Sequence, residues 1–136
     1  MDRPSSPSRQ HAILVVEDQP PLRGLLCEAL ESVGYQVVEA WNGAQAIEAI
    51  DERMGAGGQF CLILLDMFLP YVSGLEVLRH LATRGIHLPV VAVSAHRDLL
   101  EAAAASGAQG TLVKPFELGD LLATVGRYCP PVSADN

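Results

Sequence analysis

The chain has 136 residues, 9 basic against 16 acidic, and a formal net charge of −7. That length fits one domain, and a composition 49% hydrophobic with 18% charged residues excludes a chain disordered throughout. Apolar runs such as 61–65 fall far short of the about 20 residues that cross a bilayer, the opening MDRPSSPSRQ carries no apolar signal segment, and the acidity argues against direct contact with nucleic acid.

Residues 1–10, rich in Pro, Ser and Arg, read as a flexible N-terminal tail. Ala12–Val16 is an unbroken apolar run, as a parallel strand covered on both faces requires. Pro20-Pro21 opens a helix that puts Leu22, Leu25, Leu26, Ala29, Leu30 and Val33 on one face before Gly34. Tyr35–Glu39 reads as the second strand, Asn42-Gly43 as a turn, and Ala44–Met54 as a helix turning Ile47 and Ile50 inward. Cys61–Leu65 is the third strand, closed by Asp66, and Gly74–Arg84 the third helix. Pro89–Val93 is the fourth strand, and Arg97–Ser106 an Ala-rich helix ending at Gly107. Gly110–Val113 is the fifth strand, Glu117–Tyr128 the fifth helix, and 130–136 a C-terminal tail. Strands alternating with helices in this way predict an α/β fold over residues 11–129. The expected form is a flavodoxin-like three-layer sandwich whose five-stranded parallel sheet runs in the order 2-1-3-4-5.

Cys27, Cys61 and Cys129 are few and scattered, with no CxxC. They are expected to be free thiols in a reducing cytoplasm, not a disulfide framework or a zinc site. Of the nine basic residues eight are Arg, so chemistry that needs a compact ammonium must use Lys114.

In a parallel sheet the strand C-termini share one edge, and ligands bind there at the topological switch point, between strands one and three in this order. Strand one ends in Glu17-Asp18, strand three in Asp66, strand four in Ser94 and strand five in Lys114-Pro115. Singly, each group reads as a loop, cap or turn residue. Together they put carboxylates, a hydroxyl and an ammonium on one rim. Clustered carboxylates call for a hard divalent cation such as Mg²⁺, and a nearby ammonium suits the oxygens of a phosphoryl group. Asp66, placed centrally, could attack phosphorus itself and form an aspartyl phosphate.

These residues resemble the receiver domains of two-component response regulators. The matching text is 13–18 (ILVVED), 39–46 (EAWNGAQA), 62–70 (LILLDMFLP) with Gly74, 91–95 (VAVSA) and 110–116 (GTLVKPF). The spacings are 48 residues from Asp18 to Asp66, 28 on to Ser94 and 20 on to Lys114. The resemblance implies Asp66 as phosphoacceptor, with a phosphohistidine of a sensor histidine kinase or phosphotransfer protein as donor. It implies Glu17, Asp18, Asp66 and the backbone carbonyl of Phe68 as Mg²⁺ ligands, Ser94 as the switch hydroxyl, Lys114 as the phosphate-binding lysine, and a cis Lys114–Pro115 peptide. With a length that fits one domain, such a receiver is expected to be a stand-alone signalling switch, not a turnover enzyme, that docks to a downstream protein in trans.

The chain departs from the family pattern where the switch aromatic usually stands, at Thr111. The resemblance implies that Phe68 and His96 flank the path of the hydrolytic water, and bulky Phe68 is expected to slow loss of the phosphoryl group. Two other readings stay open. A phosphorylation-independent interaction module would keep the fold without the chemistry. An aspartyl-phosphate phosphohydrolase would need a second Asp at position 68, where Phe68 stands. Between Gly24 and Glu52 lie six acidic residues and no basic one, a docking surface around helix one or simply solvated helix faces. Trp41 is expected to pack on the second helix.

Overall fold

The structure, a computed structural model, describes residues 12–131. The tail expected over 1–10 and residues 132–136 lie outside the described residues. The strands are β1 (Ala12–Val16), β2 (Gln36–Ala40), β3 (Leu62–Asp66), β4 (Val90–Ser94) and β5 (Gly110–Val113). Between and after them come α1 (Pro20–Ser32), α2 (Gly43–Gly55), α3 (Gly74–Thr83), α4 (Arg97–Ala105) and α5 (Leu118–Tyr128). The sheet is parallel in the order β2-β1-β3-β4-β5, as expected.

Alternation along the central strands divides the core. Leu62 and Leu64 of β3 face Leu26 and Leu30 of α1 and Leu121 and Val125 of α5. Ile63 and Leu65 face Ile50 of α2, Val77 and Leu81 of α3 and Leu100 of α4. β1, β3 and β4 are buried along their whole lengths. That is why they read as continuous apolar runs rather than alternating ones.

Three strands sit one residue later than the sequence pattern suggests: β2, β3 and β4 begin at Gln36, Leu62 and Val90. The shift has a functional consequence, because Asp66 and Ser94 are strand residues rather than the first residues beyond the strands. Pairing carries them: Asp66 lies opposite Val93 and Ser94 opposite Val113. Both polar side chains are therefore held by the sheet.

The segment after Asp66 is held just as closely. A Cβ on Gly74, at the start of α3, would lie 2.8 Å from the Met67 Cα, and one on Gly43, at the start of α2, 2.1 Å from the Val72 carbonyl oxygen. Glycine at both helix starts lets 67–72 pack against them. Ser73 and Glu76 close the N-terminus of α3 with a capping box.

Candidate functional site

Glu17, Asp18 and Asp66 come together where β1 and β3 end, each offering a carboxylate oxygen within 4.8 Å of the others. Glu17 is 1% exposed and Asp66 4%, so two of the three charges are out of water. The Lys114 ammonium reaches them from the far end of β5, 2.9 Å from Asp66 Oδ2 and 3.2 Å from Glu17 Oε1. The peptide that follows, Lys114–Pro115, is cis. The Phe68 amide donates to Asp66 Oδ1 at 2.9 Å, which fixes the carboxylate plane. Ser94, 2% exposed, accepts from the His96 amide at 3.0 Å and lies one position beyond the residue opposite Asp66.

The charges do not balance. Burial pushes the Glu17 carboxyl up to about 7, the Asp66 charge and hydrogen bond add to this, and Lys114 opposes it. Burial would lower the Lys114 ammonium, but its hydrogen bond to Asp66 and the charges of Asp66 and Glu17 outweigh burial and hold it above its ordinary value. One ammonium facing three carboxylates leaves a net negative crevice of oxygen donors. That is the donor set a hard divalent cation takes, and the residues present fit such an ion.

The chain matches the response regulator receiver domain over residues 13–126. The chain belongs to that family. The receiver is 31% identical over 120 residues to the sporulation initiation phosphotransferase F of Bacillus subtilis, covering 87% of this chain and 93% of that protein. It is 36% identical over 115 residues to the uncharacterized transcriptional regulatory protein YkoG of the same organism, covering 83% of this chain but 48% of that protein. The receiver thus spans about half the length of several curated relatives it matches. Among solved structures it resembles the receiver domain of a Pseudomonas aeruginosa sensor histidine kinase, which has a magnesium ion coordinated in its active-site cleft. That likeness has a TM-score of 0.77 at 27% identity and covers 88% of this chain and 98% of that one. Receiver domains are signalling switches. No helix among the described residues is long and apolar enough to cross a membrane.

The receiver has a rim of large side chains around its crevice. Phe68 is 74% exposed, and its ring lies 6.3 Å from that of His96, tilted by 59°. Thr111 is exposed on β5. Arg23, which the sequence reading passed over, donates from Nη1 to the Glu17 carbonyl at 2.9 Å and from Nε to Glu39 at 3.0 Å. It thereby ties α1 to the ends of β1 and β2. Its signal in the sequence is slight: it is the last basic residue before the acidic stretch 24–52.

One expectation is corrected, that for the cysteines, and one is refined, that for Trp41. Trp41 stands beside Gln45, Glu48 and Ala49 of α2 but stays 55% exposed, and the Arg23 guanidinium sits 5.0 Å from the ring centre. Cys61 and Cys129 are not free thiols but form a disulfide, leaving Cys27 as the free, buried cysteine.

The elevated Glu17 carboxyl gives the metal-free receiver a pH signature. A carboxyl that binds its proton more tightly folded than unfolded favours folding while protonated, and this contribution is lost as pH rises from about 4.5 through about 7. Lys114 titrates well above that window. Thermal melts without metal are expected to fall across this range, with Mg²⁺ restoring most of the loss at the alkaline end. A loss that Mg²⁺ leaves unchanged would contradict this origin.

Proposed function

We propose that this receiver takes a phosphoryl group onto Asp66 from the phosphohistidine of a sensor histidine kinase or phosphotransfer protein. It then signals in the cytoplasm by docking to a downstream protein in trans, over a single unit spanning residues 11–129, with no direct nucleic-acid contact and no substrate turnover. The observation that carries this reading is the Lys114 ammonium bridging two buried carboxylates, Glu17 and Asp66, with Asp18 beside them.

An Asp66 carboxylate oxygen attacks phosphorus, the phosphorus–nitrogen bond to the donor imidazole breaks, and the imidazole leaves. Lys114, released from its contact with Asp66, turns to a phosphoryl oxygen, and the Ser94 hydroxyl donates to another. Glu17, Asp18, Asp66 and the Phe68 carbonyl would hold Mg²⁺, which neutralises charge on the transferring group. Moving Ser94 and Lys114 toward the phosphoryl group biases a two-state equilibrium of the domain. With Thr111 in place of an aromatic, the relay from Ser94 runs without a ring swinging inward.

Incubation with Mg²⁺ and acetyl phosphate, followed by intact mass, tests the reading. A gain of one phosphoryl group that needs Mg²⁺ supports it; no gain contradicts it and favours the phosphorylation-independent module. Phe68 supplies a finer test. Its ring, 6.3 Å from that of His96, would screen the acyl phosphate from water, so Phe68→Asn is expected to hasten hydrolysis about tenfold, a barrier change of ~1.4 kcal/mol. Equal lifetimes of the two phosphorylated forms would remove the shielding role.

A further inference from the structure

The Cys61–Cys129 bridge lies at the opposite end of the sheet from the carboxylates. Cys61 directly precedes β3, and its amide donates to the Ala12 carbonyl at 2.8 Å. Cys129 caps the C-terminus of α5, and its carbonyl accepts from the Tyr35 hydroxyl. Their Cα atoms are 5.8 Å apart across 68 residues of sequence. This spacing is one a disulfide spans without backbone movement. The closed segment contains Asp66, Ser94 and Lys114, so one bond encircles the strands that carry the rim.

The two sulfurs are unequally placed. Cys129 is fully buried, whereas Cys61 is partly exposed at the strand entrance. Cys27, on the same face of the sheet, is a buried residue of α1. Burial, and then the charges of Glu39 and Glu31, push its thiol up to about 11, which keeps it protonated and out of exchange.

We propose that Cys61 and Cys129 form a reversible dithiol–disulfide pair, a redox-controlled staple fastening α5 to the base of the phosphoacceptor strand. The oxidant is a small-molecule disulfide of the glutathione class. The Cys61 thiolate attacks one of its sulfurs, forming a mixed disulfide and expelling one thiol. The Cys129 thiolate then attacks the Cys61 sulfur, closing the bridge and expelling the second thiol. Two electrons pass to the reagent, and the two protons given up by the cysteines appear on the two released thiols. In a reducing compartment such a pair opens and closes with the thiol poise, and does not act as a permanent cross-link. Open, α5 is held by packing and by the hydrogen bonds of Tyr35 and Tyr128; closed, the unfolded chain is constrained around the whole rim.

The 136-residue chain is treated with oxidised glutathione or with dithiothreitol, then unfolded and alkylated. The oxidised form is expected to take one alkyl group, on Cys27, and the reduced form three. The oxidised form is expected to melt about 10–15 °C higher, with amide exchange in α5 slower. Cys27→Ala retains this difference and Cys61→Ala abolishes it. Three alkylated cysteines after oxidation, equal melting of the two forms, or a difference that survives Cys61→Ala would overturn the proposal. None of these readouts involves phosphorylation, so they stand apart from the function proposed above.

Discussion

Asp66→Asn is expected to gain no phosphoryl group under conditions where the native chain gains one, while melting no lower than the native protein. The two halves of this result have one cause. Asp66 is the carboxylate that the Lys114 ammonium and the Phe68 amide both hold, at the end of a buried strand. An amide of the same shape keeps an oxygen for the Phe68 amide but has no nucleophilic oxyanion to offer phosphorus. It also removes a charge that repels Glu17 and raises the Glu17 carboxyl, so Lys114 can serve Glu17 alone. A variant that unfolds would leave the chemistry untested by this route. The charge count instead predicts a folded, inert domain. A phosphoryl gain that survives Asp66→Asn would place the acceptor elsewhere.

Lys114→Ala is expected to destabilise the domain by an amount that depends on pH. The substitution leaves Glu17 and Asp66, both almost fully buried, without a counter-charge. Breaking a buried pair by removing one partner costs ~3–5 kcal/mol where both partners are enclosed. Lys114 retains 23% side-chain exposure, so about 2 kcal/mol is expected here at alkaline pH without metal, read from denaturant unfolding. The loss should shrink below about 7, where Glu17 keeps its proton and fewer charges need offsetting. Phosphoryl transfer should slow about 10²–10³-fold, the scale of losing one preorganised electrostatic partner. Lys114→Arg keeps the charge but presents a planar fork in place of a compact ammonium, and should recover stability more fully than rate. A variant as fast as the native chain would contradict the role given to Lys114.

The sheet order and the convergence of Glu17, Asp18, Asp66 and Lys114 were legible in the sequence for one physical reason. Parallel strands buried on both faces must be continuous apolar runs, so the first polar residue after each run marks the rim. The one-residue shift of β3 and β4 was not legible, because strand ends are fixed by pairing. Asp66 counts as strand through its neighbour Val93, a contact far away in sequence. The disulfide was hidden for the same reason. Cys61 and Cys129 lie 68 residues apart and meet once β3 and α5 pack on one face of the sheet. The second neighbour of Trp41, Arg23 of α1, was not legible, because it comes from a helix that meets the ring only in the folded chain. The acidic stretch resolves in part into specific pairs: Glu39 with Arg23, and Asp51 with His80 at 2.8 Å and Arg84 at 3.6 Å.

The position of the phosphoryl group can be read chemically. After reaction with acetyl phosphate and Mg²⁺, borohydride reduces an acyl phosphate on aspartate to homoserine, a permanent mark that peptide mass spectrometry can place. Homoserine is expected at position 66 and at no other acidic residue. Homoserine at Asp18 or Glu17's equivalent reduction product, or a phosphoryl group resistant to borohydride on Ser94 or His96, would contradict it.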